Sequence, residues 1–593
     1  MKRLVEEKEL GFGTRSFIGR SLSRFTMHSL AIDAINNYYV NASRYKGTDF
    51  TSITLSSLNI RYHISERDLR NIPVSGAGIV ISNHPMGTLD GIMLIDAIGK
   101  LRKDVKILGN FLLMRIEPLQ EFFFPVNPFN TRKPQNIPAI KKALGHLQNG
   151  GLLIIFPAGE VSTYQKGITI EDKEWSRSVM HFIRKSAVPV IPLYIDGSNS
   201  LKFHLAGKIH PVLRTIRLPL ELKNKQNRNF RIRIGSPISP KRQSDLGDLS
   251  VYTAYLRANV YYMKYSLGQR KRHPLKQARK AQHPSSIVPV CSAVGESVLQ
   301  KEVAAIRSEA FLFRNGEYEL YFTSSQKAPL IMQEIGRLRE QTFREVGEGT
   351  NKALDTDTYD NYYKQLFIWD NANNRIIGGY RIGMGEEIIS RHGIEGFYTH
   401  TLFNISGEFE KMLSRTIELG RSFIIKEFQK KPIFLMLLWK GILHVLLDNP
   451  HYRYLFGPVS MSGDYTDASK RIAIDYIKRN HFDEKLSKCI KPRHGIKGID
   501  KTDVSLLKGI DNLDAIDKIV KDIEITDTLP ILIKKYLQLN GRILAFNIDP
   551  DFNYSLDAFI LLDLQAVPSR TLELLSKEMN LNTVRTRFQC KGI

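Results

Sequence analysis

The chain has 593 residues, too many for one hydrophobic core, so length suggests about three compact units or two large ones. An apolar share of 42% and a charged share of 24% are those of a folded protein and exclude disorder over most of the chain. Lys and Arg number 85 against 60 Asp and Glu, and the resulting +25 implies an acidic partner: nucleic acid, an anionic membrane surface or an acidic protein.

No RNP-like aromatic strand, zinc finger or recognition-helix pattern is present, so a nucleic-acid partner is not expected. Cys291, Cys489 and Cys590 lie far apart with no pair spacing. That excludes a disulfide framework and a zinc site and fits a reducing compartment.

The opening MKRLVEEKELGFG has no apolar core of signal-peptide type. Residues 1–45 are expected to hold an amphipathic helix over Arg15 to Val40. Ile18, Leu22 and Phe25 share one face, with Arg15, Arg20 and Arg24 between them. Such a helix either lies among lipid headgroups or packs on its own domain.

Residues 46–245 alternate short apolar runs with helical segments. AGIVIS (Ala77–Ser82) precedes NHPMGTLDG and the helical IMLIDAIGKL. Ile137, Ile140, Ala143, Leu144 and Leu147 recur at helical spacing and lead through Gly150-Gly151 into the run Leu152–Phe156. A helix around Trp175–Lys185 leads into VPVIPLYI (Val188–Ile195). Unbroken apolar strands alternating with helices predict an α/β fold with a mostly parallel sheet covered on both faces.

Residues 246–305 read as a helical and basic linker, ending in GQRKRHPLKQARKAQHPSS. A second unit spans 306–593. EYELYFTS reads as a strand, LIMQEIGRLREQTF as a helix and KQLFIWDNANNRIIGGYRIG as a hairpin. IFLMLLWKGILHVLL (Ile433–Leu447) carries Lys440 and His444 and falls short of the roughly 20 residues that span a bilayer. It reads as a buried strand followed by a helix, so the protein is expected to be soluble or peripheral. His444, His451 and His494 show no metal-ligand spacing.

The strongest chemical signal is NHPMGTLDG (Asn83–Gly91). Ester formation from an acyl thioester needs a base for the hydroxyl proton, and a carboxylate on the other imidazole nitrogen fixes the tautomer. His84 follows a predicted strand and Asp90 opens the next helix, at the strand end where open α/β sheets bind ligands. A helix-capping Asp beside a surface His gives the same spacing, so the companion blocks matter. FPAGEVS (Phe156–Ser162) and VPVIPLYIDG (Val188–Gly197) follow in order. With them, residues 50–240 resemble the glycerolipid acyltransferase superfamily, and NHPMGTLDG most resembles its hemolysin-like branch.

The resemblance implies that His84 is the general base and Asp90 its orienting partner. It implies that Phe156, Pro157, Gly159 and Glu160 line and position the acceptor, and that Pro192 shapes an acyl tunnel. Two departures stand out. His84 and Asp90 are separated by five residues rather than four, and FPAGEVS lacks the Arg that in relatives meets the acceptor's phosphate. Without that fork the expected acceptor is a phosphate-free lysolipid. Glu160 either faces a cationic headgroup or simply caps a strand or helix end.

In the second unit, DTDTYDNYY (Asp355, Asp357, Asp360), IIGGYRIG with Arg381, and IELGRSFI with Glu418 and Arg421 resemble GNAT-like N-acyltransferases of the autoinducer-synthase and ornithine-lipid-synthase type. The implied chemistry is N-acylation of an amino acid from acyl carrier protein. Glu418 with Asp355 or Asp360 would meet the ammonium, and Arg381 or Arg421 the carboxylate. Arg–Glu pairs bridging strands of a sheet would give the same residues.

Together the halves resemble a fused synthase of ornithine lipid or a related amino-acid lipid. The fold class implied is a mostly parallel acyltransferase sheet covered by helices, followed by a GNAT-like α/β domain. The partners implied are acyl carrier protein, an anionic membrane surface on the cytoplasmic side, and amino-acid and lyso-lipid substrates, with no resident cofactor or metal. Three other readings fit the same residues. They are a lysophospholipid O-acyltransferase with a second domain that only binds acyl carrier protein, a membrane-binding hemolysin-like protein, and acylation of a lysophosphatidic acid. The tail Asp549–Met579 resembles the end of hemolysin-like acyltransferase chains and has no assigned role.

Overall fold

The computed structural model describes residues 32–126, 136–165, 170–209, 211–267, 288–496, 507, 510–524, 528–576, 584 and 587–588. Most of the expected helix at Arg15–Val40, the basic run after Leu267, and Cys590 lie outside these residues. The chain divides into two compact units: Met1–Gln269 with Ser505–Thr526, and Arg270–Val504 with Asp527–Ile593.

In the first unit the strands are β1 (Arg61–His63), β2 (Gly78–Ser82), β3 (Val105–Asn110), β4 (Phe123–Val126), β5 (Leu152–Ile155), a short β6/β7 ribbon (Thr163–Tyr164, Ile170–Glu171), β8 (Val190–Asp196) and β9 (Asn229–Ile234). Outside the ribbon they form one sheet in the order β1-β9-β8-β2-β5-β3-β4. Every pairing in it is parallel except β8 with β9. The central strands GIVIS and LLII are buried at every position. Helices such as α1 (Thr88–Gly99), α2 (Ile137–Gln148) and α3 (Arg177–Ser186) connect them, which is why those runs are continuously apolar rather than alternating.

Helix α4 (Leu249–Tyr262) was expected in the linker but belongs to the first unit's core. Asp248 caps it by accepting from the Ser250 and Val251 amides, and Tyr252, Tyr255, Leu256 and Tyr262 are fully buried. The Leu513–Glu524 helix joins this unit, its Asp522 accepting from the Tyr255 hydroxyl and lying 3.6 Å from Arg242.

In the second unit, the strands β10 (Phe311–Asn315), β11 (Tyr318–Ser324), β12 (Lys364–Asp370), β13 (Arg375–Met384), β15 (Thr416–Ile424), β16 (Tyr454–Met461), β18 (Arg542–Asp549) and β19 (Ser555–Asp563) form a sheet. Its order is β10-β11-β12-β13-β15-β16-β19-β18, while β14 (Phe403–Ile405) pairs separately with β17 (Ile490–Pro492). Its parallel pair, β15 and β16, is in register from Thr416↔Tyr454 to Glu418↔Phe456 and then parts. Gly457 permits that close approach, because a Cβ there would meet the Leu419 carbonyl oxygen at 2.2 Å.

The unit's core begins before Ala310, since α5 (Glu296–Ala310) buries Leu299, Val303 and Ile306. Helix α6 (Pro329–Glu345) follows β11. The run Ile433–Leu447 is not a strand followed by a helix but one helix, α7 (Pro432–Asp448), with proline in its first turn. It is apolar nearly all round because most of it is buried, and periodicity cannot tell such a helix from a buried strand. Among the described residues no helix is long and apolar enough to cross a membrane.

Candidate active sites

In the first unit, β2 ends at Ser82 and the chain turns through Asn83 to Gly87 before α1. Asn83 ties this turn to β8, donating to the Ile195 carbonyl at 3.0 Å and accepting from the Ile195 amide at 2.8 Å. Gly87 has φ +84, and a Cβ there would meet Leu218 at 3.1 Å and Val161 at 3.3 Å. Asp90 is the third residue of α1. Its Oδ2 accepts from the Met86 and Gly87 amides at 2.9 and 3.0 Å, the carboxylate half of a capping box.

The same Oδ2 lies 2.9 Å from His84 Nδ1, with side-chain exposure of 19% for His84 and 0% for Asp90. The contact is close but not well aligned as a hydrogen bond: His84 Nδ1 and Asp90 Oδ1 have no aligned partner among the described residues. Phe156, expected only to line the acceptor, stacks on the imidazole with centroids 4.1 Å apart.

The FPAGEVS loop reaches His84 directly, because the Ser162 amide donates to the His84 carbonyl at 2.8 Å. Pro157 is buried and accepts from the Ser176 amide at 2.9 Å. Gly159 turns at φ +69, and Glu160 faces Lys173 at 2.8 Å. Pro192 is buried in β8 opposite Ile81, with its carbonyl accepting from Gly235 at 2.8 Å.

Asp172 was not singled out from the sequence. It is buried, and its carboxylate accepts from the His84 amide at 3.2 Å, the Ser162 hydroxyl at 2.5 Å and the Trp175 indole at 3.2 Å. Its own amide donates to the Tyr261 hydroxyl oxygen at 2.7 Å. One buried residue thus joins the His84 turn and the FPAGEVS loop through its carboxylate, and α4 through its backbone amide.

In the second unit the acidic stretch and the two arginines come together as ion pairs. Arg381 Nη1 lies 2.6 Å from Asp357 and 3.4 Å from Asp360; Arg421 lies 3.2 Å from Asp355 and 3.5 Å from Asp357. Arg339, also not singled out, is fully buried on α6 and binds Asp360 at 3.0 Å and Gln365 at 2.6 Å. Burial pushes the Asp360 carboxyl up, but Arg339 and Arg381 outweigh it and hold it below the usual range. Burial and Arg421 weaken the Arg381 charge; Asp360 and Asp357 more than restore it. Tyr398 lies against both guanidinium groups, at 5.1 Å from Arg381 and 4.9 Å from Arg421. Arg381 Nε and Nη2 have no hydrogen-bond partner among the described residues.

Glu418, on β15, is buried, and burial raises its carboxyl. Its Oε1 accepts from the Thr399 amide at 2.7 Å and from the Thr399 hydroxyl. Its Oε2 accepts from the Tyr398 amide at 3.2 Å and from the Tyr363 hydroxyl. With both oxygens taken, Glu418 would have to give up a partner to meet an ammonium directly. Among the described residues no His/Cys/Asp/Glu cluster could hold a metal ion.

The family described as "Acyltransferase" matches residues 11–270, and that described as "Acetyltransferase (GNAT) domain" matches residues 338–440. The chain is 32% identical over 276 residues to a glycine N(alpha)-acyltransferase of Phocaeicola vulgatus, covering 43% of this chain and 82% of that one. It is 28% identical over 229 residues to a lyso-glycine lipid O-acyltransferase of the same organism, covering 37% of this chain and 80% of that one. The His–Asp unit and the GNAT unit therefore define an acyltransferase built from two acyl-transfer folds. The chain belongs to the family of the Phocaeicola vulgatus glycine N(alpha)-acyltransferase.

Proposed function

We propose that the chain makes an amino-acid lipid by two successive acyl transfers. The second unit N-acylates the amino acid with a 3-hydroxy fatty acyl group from acyl carrier protein. The first unit then esterifies that 3-hydroxyl with a second acyl chain. What carries this reading is the pairing, in one chain, of two folds whose relatives include both an N-acyltransferase and a lyso-lipid O-acyltransferase. Those relatives' names favour glycine as the amino acid, ahead of ornithine and serine.

In the O-acylation, Asp90 holds His84 Nδ1, leaving Nε2 to take the hydroxyl proton while the hydroxyl oxygen attacks the thioester carbonyl. Collapse of the tetrahedral adduct expels the thiolate, which takes the proton back from the imidazolium. Phe156 steadies the ring; Pro157, Gly159 and Glu160 shape the acceptor side, and Pro192 the acyl path. In the N-acylation, Arg381 and Arg421 meet the amino acid's carboxylate, with Asp355 and Asp360 fixing the two guanidinium groups. Glu418 positions Tyr363, Tyr398 and Thr399 around them. Neither transfer needs a resident metal or cofactor.

The +25 charge suits an acidic carrier protein and an anionic lipid surface, and both encounters should weaken with salt. On this reading the chain works at the cytoplasmic face of the membrane as a peripheral enzyme. Joining the two activities raises the effective concentration of the lyso intermediate at the second site. The test is lipid extraction from cells expressing the chain. A new ninhydrin-positive, phosphate-free lipid is expected, with its headgroup assigned by mass spectrometry, and its absence would refute the proposal.

A further inference from the structure

The hairpin β18–β19, in the tail for which the sequence suggested no role, brings a second polar group to the arginine cluster. Asp557 on β19 stands in register between Ser460 of β16 and Asn547 of β18, so the three side chains share one face of the sheet. Asp557 is 3% exposed and Asn547 0%. Asp557 Oδ1 accepts from the Ser460 and Ser555 hydroxyls at 2.7 and 3.2 Å. Its Oδ2 has no hydrogen-bond partner among the described residues, and neither does Asn547 Nδ2.

Asp549, 5% exposed, and Glu348 lie within electrostatic reach of Asp557. Burial, then Asp549 and Glu348, push Asp557 up to about 8; burial pushes Glu348 up to about 7. Asp549 and Glu348 thus add to the cost of ionising the buried Asp557, while the nearby Arg421 is engaged by Asp355 and Asp357. The hairpin's turn reaches that arginine, with Phe552 5.2 Å from the Arg421 guanidinium. Tyr398, which touches both arginines, also feels Asp549 and Asp557. Tyr398 therefore lies against the two arginines and within electrostatic reach of Asp549 and Asp557.

We propose that the β18–β19 hairpin completes the acceptor pocket of the second unit, with the free Asp557 Oδ2, flanked by Asp549 and Asn547, binding the primary amine of the amino acid. This rests on reading the second unit as an amino-acid N-acyltransferase. The amine nitrogen would be held at Asp557 while the carboxylate lies toward Arg381, whose Nε and Nη2 await a partner. An amine and a carboxylate would together supply what these two unsatisfied sides lack. Recognition would follow the amine, so a hydroxy acid of the same size should compete poorly.

The test uses the full chain with a 3-hydroxyacyl-acyl carrier protein donor and glycine, serine or ornithine as acceptor. Losing one charge-assisted contact at Asp557→Asn should raise the KM for the amino acid at least about tenfold. The KM for the donor should stay unchanged. Asp549→Asn, read in the same assay, guards against a local folding defect at Asp557. An amino-acid KM that rises less than this in both variants, while wild type remains active, overturns the hairpin proposal alone. Wild type that acylates none of the three amino acids overturns the functional reading, and this inference with it.

Discussion

Replacing Asp172 by Asn separates a positioning role from a merely structural one. The carboxylate accepts three buried donors, from His84, Ser162 and Trp175. An Asn side chain keeps one oxygen and turns an N–H toward at least one of those donors, leaving it unsatisfied. An orphaned buried donor costs about 1–3 kcal/mol, and one such group here gives about 1–2 kcal/mol of lost stability in the first unit. For a unit of this size that lowers the melting temperature by about 2–8 °C. Asp172→Ala strands all three donors and should cost about 3–6 kcal/mol. The catalytic loss should exceed the stability loss, because the His84 turn and the FPAGEVS loop are both anchored there. O-acylation of supplied lyso-lipid by Asp172→Asn, measured well below its melting temperature, should fall at least about thirtyfold, while N-acylation stays at wild-type rate. Intact O-acylation in a folded Asp172→Asn variant would refute the anchoring argument.

Other expectations follow from single contacts. Gly87→Ala forces a side chain into a backbone region open mainly to glycine, costing about 1–3 kcal/mol, and should abolish O-acylation while the second unit's melting transition stays put. Glu418→Gln places an N–H among four donors and should destabilise the second unit by about 1–3 kcal/mol and remove N-acylation, read by thermal melting and product formation. For pH, Asp557 sits above its ordinary carboxylate value of 3.8, up to about 8, in the folded chain. Its contribution to stability is therefore fully present below the ordinary range and is lost as pH rises through about 8. The second unit's melting temperature should fall between about pH 4 and about pH 8 in wild type, level off above that, and fall less in Asp557→Asn. Equal slopes would contradict that assignment.

What the sequence revealed was local. His84 and Asp90 are legible because a strand, a turn and a helix start lie within nine residues, and Asp90 is fixed by the same capping geometry that begins the helix. Asp172 is invisible in the same reading, since it lies just after the ribbon, 88 residues past His84, and carries no motif of its own. Arg339 is hidden for a different reason. It sits in a helical pattern where an Arg ordinarily faces water, yet here it is buried against Asp360 and Gln365. The apolar run at Ile433–Leu447 misled because a helix buried nearly all round loses the periodicity that identifies helices. The tail hairpin could be read as two strands but not as part of a site, because Asp557 gains its neighbours only when β19 pairs with β16 about 100 residues earlier.

The most direct test of the two-step account is a comparison of lipids from cells expressing wild type, His84→Ala and Glu418→Gln. Wild type should yield the diacylated amino-acid lipid, His84→Ala the monoacylated amino acid alone, and Glu418→Gln neither. If His84→Ala still makes the diacyl product, or if both variants lose only that product, the division of labour between the two units is contradicted.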